Sequence, residues 1–473
     1  MFDDFSTGAG CFFKNVEHMN YQELIEAKRH RASDYGIEPN FMPDGVFDFQ
    51  RYAAEYAIKK GRCAVYFDTG MGKTLIELII AANYVRHTNK PVLIATPLSV
   101  AFQFLKEAEK FHIEDVEYSR EGKFSGKIII CNYERLHYFN PADFDCMICD
   151  ESSCVKDFKS KTSEHVNAFM RKIKYRYLAT ATPSPNDYVE LGTSSEALGY
   201  MGYQDMLTKF FTNNQDTISP MGIGVKWRLK GHAEEAFFQW VSGWSLSARK
   251  PSDLGFSDER HVLPALYEND HIVTNDVPLV VNGQFSMFNQ VARTMPEIHA
   301  ERKATIAKRA EKAVELASQH ATSVYWCNLN EEADTVENLD PNAVQIHGGM
   351  SLEKKEEILI AFAEGQIKKL VTKPKITAWG LNWQHCPHAV TFPGFSFEQY
   401  YQLVRRHYRF PITEPVTIDR VISDGQVRIL QAIEAKAKKA DNLFSMLNIN
   451  LNKSYTPTSK EFDKQIQLPT FLK

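Results

Sequence analysis

The sequence predicts an α/β protein with two doubly wound, parallel-sheet lobes, on three observations. Short apolar runs recur along the 473 residues with helical stretches between them. The runs fall into two separate series. Glycine-rich or acidic clusters follow some of them, where the carboxyl ends of strands would lie. Strands joined through helices are parallel and covered on both faces, so they read as continuous apolar runs rather than alternating ones. Ligands in such sheets gather at the strand carboxyl ends.

The first series comprises "CAVYF", "PVLIAT", "KIIIC", "FDCMIC" and "YRYLAT". They define a lobe over 46–191, preceded by an N-terminal extension, 1–45. "LIELIIAANYV", after Thr74, is a buried helix. Residues 192–265, rich in Gly, Asn and aromatic side chains ("TNNQDTISPMGIGVKW"), break the alternation and are expected to form an insertion and inter-lobe connector. A helical run near 297–320 leads into the second lobe, 266–424, whose strands are "SVYWC", "NAVQIH", "KKLVT", "HAVTF" and "EPVTI". Within it "SLEKKEEILIAFAEG" places Leu352, Ile358, Leu359 and Phe362 on one helical face, with Gly365 as the stop. Val427, Leu430, Ile433, Ala437, Ala440, Phe444 and Leu447 recur at helical steps and predict an amphipathic helix over 425–450, with Lys436, Lys438 and Lys439 largely on its wet side. Residues 451–473 lack apolar patterning and are expected to be a flexible tail.

Apolar residues make up 44% and charged residues 24% of the chain, the balance of a water-soluble globular protein. A net charge of −4 supplies no global basic field, so any nucleic-acid contact must come from local patches. No apolar run approaches the length of a membrane span, and "MFDDFSTGAG" lacks the layout of a signal peptide. Eight irregularly spaced cysteines suggest reduced thiols and a cytoplasmic setting. Cys146, Cys149 and Cys154 suit a buried strand and its flank better than zinc, because four convergent ligands are required and no second pair follows at finger spacing.

The chemistry is concentrated in a few places. "YFDTGMGKT", Tyr66 to Thr74, has the strand–turn–helix layout of a triphosphate cradle, with Thr69, Gly70, Met71 and Gly72 presenting backbone N–H groups. Lys73 would reach the β- and γ-phosphates, and the Thr74 hydroxyl would ligate magnesium. Phe67 stands where the full pattern asks for glycine. "CMICDE" ends in Asp150, a second magnesium ligand, and Glu151, which could orient and deprotonate an attacking water. "YYQLVRRHYRF" supplies Arg406 and Arg409, whose spacing of three puts both on one helix face. Donated across a cleft, they would make hydrolysis depend on lobe closure.

In this order the residues resemble superfamily 2 helicases, specifically the Snf2-type ATP-dependent DNA translocases, over roughly 45–435. "DFQRYAAEYAI" is similar to the glutamine motif, which implies that Gln50 lies at the adenine edge. "FDTGMGKT" resembles motif I and "DESSCVK" motif II, with Ser-Ser in place of the usual Ala-His. "LIATPLSV" and "ICNYERL" resemble backbone-contacting motifs, implying nucleic-acid contacts at Thr96, Pro97 and Asn132. "LATATPSPN" resembles motif III, implying that Thr180 and Thr182 couple nucleotide state to the DNA track. "WSLSARKPSDLG" resembles the basic stretch Snf2 proteins carry between lobes. "VTKPKITAWGLNWQHC" resembles motif V, adding Lys373, Lys375 and Gly380 as phosphate contacts. Of Trp227, Trp379 and Trp383, any could stack on bases, though core packing suits them better. "QLVRRHYRF" resembles motif VI, with Arg405 where glycine is usual. The resemblance implies two RecA-like lobes with an ATP cleft between them, ATP and Mg2+ as cofactors, and movement along DNA, duplex and without sequence readout. Compact relatives of this kind imply a bacterial or phage-infected cell. Strand separation of DNA or RNA, or nucleotide-gated binding without turnover, are the competing expectations.

Overall fold

The computed structural model describes residues 35–97, 100–156, 160–213, 227–259, 261–274, 280–281, 284–285, 295–377, 383–410 and 412–454. The flexible tail expected over 451–473 lies almost wholly outside them, as do Gly380 and Trp379.

Helix α1 (Asp48–Lys60) precedes strand β1 (Arg62–Phe67), and Gly61 joins them in the left-handed conformation, φ 68°. Next come α2 (Lys73–Thr88), β2 (Val92–Thr96), α3 (Ala101–Lys110), β3 (Val116–Tyr118), β4 (Ile128–Asn132), β5 (Cys146–Asp150), α4 (Lys161–Met170) and β6 (Tyr175–Ala179). Helices α5 (Leu191–Leu198) and α6 (Tyr203–Phe210) follow, then a small hairpin, β7 (Phe211–Asn213) and β8 (Trp227–Leu229), then α7 (Glu234–Ser242) and β9 (Ser245–Ala248). The first sheet runs β3-β4-β2-β5-β6-β1-β9, parallel throughout.

Here the structure differs from the expected connector. Within 192–265, β9 pairs with β1 from Ala64↔Ser245 to Phe67↔Ala248 and forms the edge of the first sheet. Its four residues are all buried, too short a run to register against the polar, aromatic-rich residues around it.

The period of two along each strand splits the core between the faces of the sheet. From β1, Cys63, Val65 and Phe67 enter one cluster, while Ala64 and Tyr66 enter the other. Cys146 and Cys149 of β5 likewise face opposite ways, so they cannot converge on one ion. The N-terminal extension is tied to this lobe through Asn83, whose carboxamide accepts from the N–H groups of Asn40 and Phe41 and donates to Phe41 O.

The second lobe opens with β10 (Leu266–Val273) and a short hairpin, β11 (Val280–Val281) and β12 (Gln284–Phe285). The single helical run expected near 297–320 is two helices, α8 (Met295–Ala304) and α9 (Ile306–Ser318). At the break the Thr305 hydroxyl donates back to Glu301 O at 2.8 Å, a local bond that competes with the helix ladder. Then follow β13 (Ser323–Trp326), α10 (Asn330–Leu339), β14 (Ala343–Gln345), α11 (Leu352–Ala363), β15 (Lys369–Thr372), α12 (Pro374–Thr377), β16 (His388–Thr391), α13 (Phe397–His407), β17 (Val416–Ser423) and α14 (Val427–Ser454). The sheet order is β10-β17-β16-β13-β15-β14, again parallel.

Helix α14 belongs to both lobes. Ile429 and Ile433 enter the second-lobe core, whereas Leu443, Phe444 and Leu447 enter the first. Lys436, expected on the wet side, is half-buried at the seam: it donates to Asn186 Oδ1 at 3.1 Å in one lobe and to Phe395 O at 3.0 Å in the other. Among the described residues, no helix is long and apolar enough to cross a membrane.

Candidate functional site

The β1–α2 turn is a glycine cradle. Gly70 and Gly72 hold φ of 92° and 74°, a region that only glycine enters freely. A Cβ on Gly72 would stand 2.0 Å from Gln50 Nε2, so any side chain there would have to displace the Gln50 carboxamide. Gln50 is buried and donates to Met71 O at 3.4 Å, fastening α1 to the turn. Lys73 opens α2, and its ammonium donates to Phe67 O at 2.9 Å and Asp68 O at 3.3 Å, poised at the helix N-terminus. The Thr74 hydroxyl accepts from Gln103 Nε2 at 3.5 Å.

Asp150 ends β5 and is buried. The Thr96 hydroxyl donates to its Oδ2 at 2.9 Å, yet burial, reinforced by Glu151, pushes its carboxyl up to about 6. Glu151 has φ 51°, left-handed for a residue with a Cβ, and such strain persists only where neighbours hold it. Its Oε1 accepts from Thr180 Oγ1 at 2.7 Å and from Gln402 Nε2, in the other lobe, at 3.3 Å. Thr180 Oγ1 also accepts from the Thr182 N–H at 3.0 Å, so both threonines attach to the acidic pair's loop.

The second lobe delivers α13 to this crevice. Arg406 is buried, and burial and Arg409 lower its pKa, while Glu151 and Asp150 act the other way. Arg409 lies beyond the helix end against the glycine turn: a Cβ on Gly70 would lie 3.9 Å from Arg409 Cβ and 3.3 Å from Phe410 N. Its Nε finds no partner among the described residues. Lys73, Asp150, Glu151, Arg406 and Arg409 thus converge on one crevice from two sheets.

The nucleic-acid candidates are scattered. Thr96 and Asn132 are fully buried and linked to each other, Asn132 Nδ2 donating to Thr96 O at 3.3 Å. Their side chains serve the sheet end and Asp150. Pro97 is partly exposed at the end of β2. Lys373 bonds Asn330 Oδ1, and Lys375 is exposed on α12. Trp383 is fully buried against Trp326, ring centroids 5.2 Å apart, and Trp227 is half-buried in the β7–β8 hairpin.

Two residues escaped the sequence reading. Glu77, one turn beyond Thr74 on α2, is 1% exposed, its carboxyl buried beside Asp150 and Lys73. Burial and the neighbouring Asp150 raise its pKa well above the usual carboxylate range. The signal was present: "LIELIIAANYV" reads as a buried helix, and Glu77 is the acid inside it. Asp68 was passed over as the residue between strand and turn, and it receives Arg405 Nη2 at 2.6 Å from the other lobe.

The chain is similar to several known proteins. The model of the DEAD/DEAH box helicase family matches residues 47–191. An uncharacterized ATP-dependent helicase, YqhH, from Bacillus subtilis (strain 168) is 22% identical over 409 residues, covering 75% of this chain and 70% of that protein. The SWI/SNF-related matrix-associated actin-dependent regulator of chromatin subfamily A-like protein 1 of Xenopus laevis is 28% identical over 173 residues, or 34% of this chain. Mouse DNA annealing helicase and endonuclease ZRANB3 is 27% identical over 189 residues, or 35% of it. The chain spans only 17% and 18%, respectively, of the length of these two animal proteins. A solved Sulfolobus solfataricus SWI2/SNF2 ATPase core in complex with dsDNA aligns over 87% of this chain and 96% of its own, at TM-score 0.41 and 17% identity. With a lysine-bearing glycine turn on one parallel sheet and paired arginines from another, the chain is similar to the DEAD/DEAH box helicases over residues 47–191 and to proteins named as ATP-dependent helicases and SWI/SNF-related regulators.

Proposed function

We propose that the protein hydrolyses ATP in the crevice between its lobes and uses the cycle to move along duplex DNA without reading sequence. The observation that carries this reading is the apposition of the Gly70 turn and Arg409, each contributed by a different lobe. Hydrolysis that needs groups from two bodies ties turnover to their relative position, which is what a motor requires.

The residues present fit a magnesium nucleotide. The unpartnered Arg409 Nε, the Gly70 and Gly72 backbone and Lys73 offer donors to phosphate oxygens, while Thr74 and Asp150 are hard oxygen ligands suited to Mg2+. Held by Thr74 and Asp150, Mg2+ would supply charge neutralisation for phosphoryl transfer. Gln50 and the turn residues Thr69 to Gly72 hold the nucleotide. Glu151 orients the attacking water and takes its proton, and Thr180 fixes that carboxylate at 2.7 Å. Arg406 and Arg409 offset charge on the γ-phosphate as the lobes close. Pro97, Lys373, Lys375 and Gly380 are the DNA-backbone contacts in this reading, with Thr96, Asn132, Thr180 and Thr182 acting from the sheet ends behind them. Relatives named as an ATP-dependent helicase and a DNA annealing helicase support the choice of partner. The described cysteines are free thiols, which suits the cytoplasm of a bacterial or phage-infected cell.

Lys73→Ala is expected to abolish DNA-stimulated ATP hydrolysis while leaving the fold and DNA binding in place. Phosphate release at the wild-type rate by that variant would dismiss the site.

A further inference from the structure

One face of α13 is given over to the opposite lobe. Glu398 forms an ion pair with Lys156, and Gln402 donates to Glu151 Oε1 at 3.3 Å. Tyr401 donates its hydroxyl to Asp68 Oδ1, while Arg405 Nη2 lies 2.6 Å from Asp68 Oδ2. Positions 398, 401, 402 and 405 follow the three- and four-residue steps of a single helical stripe. The stripe therefore grips two loops of the first lobe: the one after β1 that becomes the glycine turn, and the one after β5 that bears the acidic pair.

Asp68 is the focus of this grip. Its side chain is 7% exposed and that of Arg405 18%, so the pair is shielded from water and held in one geometry. The Arg405 guanidinium is further confined between the Tyr401 and Tyr408 rings, 5.2 and 5.6 Å from their centroids. Asp68 Oδ1 also accepts the Thr69 N–H at 2.5 Å, so one carboxylate receives the second lobe and shapes the first residue of the turn. Arg406 comes next along the helix and Arg409 follows just past its end, so the docking of Arg405 sets where this end of α13 approaches the turn.

We infer that Arg405, together with Tyr401, is a positioning residue that docks the second lobe onto the phosphate turn through Asp68, setting where Arg406 and Arg409 enter the crevice. Arg405 itself contacts no phosphate; it acts through Asp68. This rests on the proposed ATPase function for its kinetic consequence and on the structure alone for its geometric one.

The test compares Arg405→Gln, Asp68→Asn, Tyr401→Phe and the Arg405→Gln/Asp68→Asn double variant. Steady-state ATP hydrolysis with duplex DNA is read beside inter-lobe energy transfer, using dyes at Lys110→Cys and Lys354→Cys. Arg405→Gln and Asp68→Asn are each expected to lower kcat by about 10–100-fold, the scale for misplaced catalytic groups, with KM for ATP changing less than about threefold. The double variant is expected to be no worse than either single one, because the two residues form one device. Energy transfer should fall in the same variants, and Tyr401→Phe should show a smaller change in the same direction. A loss confined to Arg405→Gln, with Asp68→Asn at wild-type turnover, would make Arg405 a direct phosphate ligand and overturn the inference. Additive losses, or unchanged energy transfer, would also overturn it. Should the parent protein fail to hydrolyse ATP, the functional proposal falls, while the energy-transfer comparison still decides the docking role.

Discussion

His407 shows how a single buried side chain turns into a pH dependence. It follows Arg406 on α13, accepts Trp326 Nε1–H at its Nε2, 3.2 Å away, and donates from Nδ1 to Cys386 O at 2.7 Å. Burial drives its pKa down to about 4, against an ordinary imidazole near ~6.5. The unfolded chain therefore binds a proton that the folded one refuses. His407's contribution to stability is complete above about 6.5 and is lost as the pH falls toward 4, reaching ~3 kcal/mol at most. Urea denaturation from pH 7 to pH 4.5 should show that acid limb flattened in His407→Asn; an equally steep limb would place its origin elsewhere. Glu77 gives a second prediction. Its carboxyl is buried beside two other acids, Asp150 and Glu151, which is costly, so Glu77→Met should raise unfolding free energy by about 1–3 kcal/mol. A destabilised variant would show that the carboxyl has a partner it depends on. Lys73 and Asp150 were legible in the sequence because turn and strand-end patterns are local rules, whereas the helix spacing expected to put Arg406 and Arg409 on one face fails, since α13 ends at His407 and Arg409 lies in the loop beyond. Asp68 was not legible, because its significance arises from what another segment places against it.

Among the elements, α14 and β9 show where pattern reading succeeds and where it stops. The apolar stripe of α14 announced a helix, but a stripe cannot say that its two halves serve different cores. Phe444 is buried in the first-lobe cluster, with the Arg249 guanidinium 4.7 Å from its ring centroid, and Arg249 also pairs with Asp441. Phe444→Ala should destabilise the first lobe by about 3–5 kcal/mol, seen as a lower urea midpoint. A midpoint unchanged from wild type would show that this end of α14 is merely laid on the surface. Strand β9 was hidden for the opposite reason. Its residues Ser245, Leu246, Ser247 and Ala248 have weak strand character, and only pairing with β1 makes a strand of them.

At the scale of the molecule, two parallel sheets were legible because recurring apolar runs leave few other ways to bury them. How the lobes meet was not, since that depends on polar pairs distant in sequence such as Lys156 with Glu398. With a net charge of −4, the DNA binding proposed above would rest on local cations, for which Lys373 and Lys375 are the candidates. Replacing both with Ala should reduce the slope of log affinity against log salt by about 2. An unaltered slope would remove motif V from the DNA track.

The polypeptide leaves the first lobe after β9, builds the second, and then sends α14 back into the first. Two covalent straps therefore join the same pair of bodies. A door on one hinge pin can twist, but a door on two can only swing about the line between them. That restriction would turn each chemical event into displacement along a single direction.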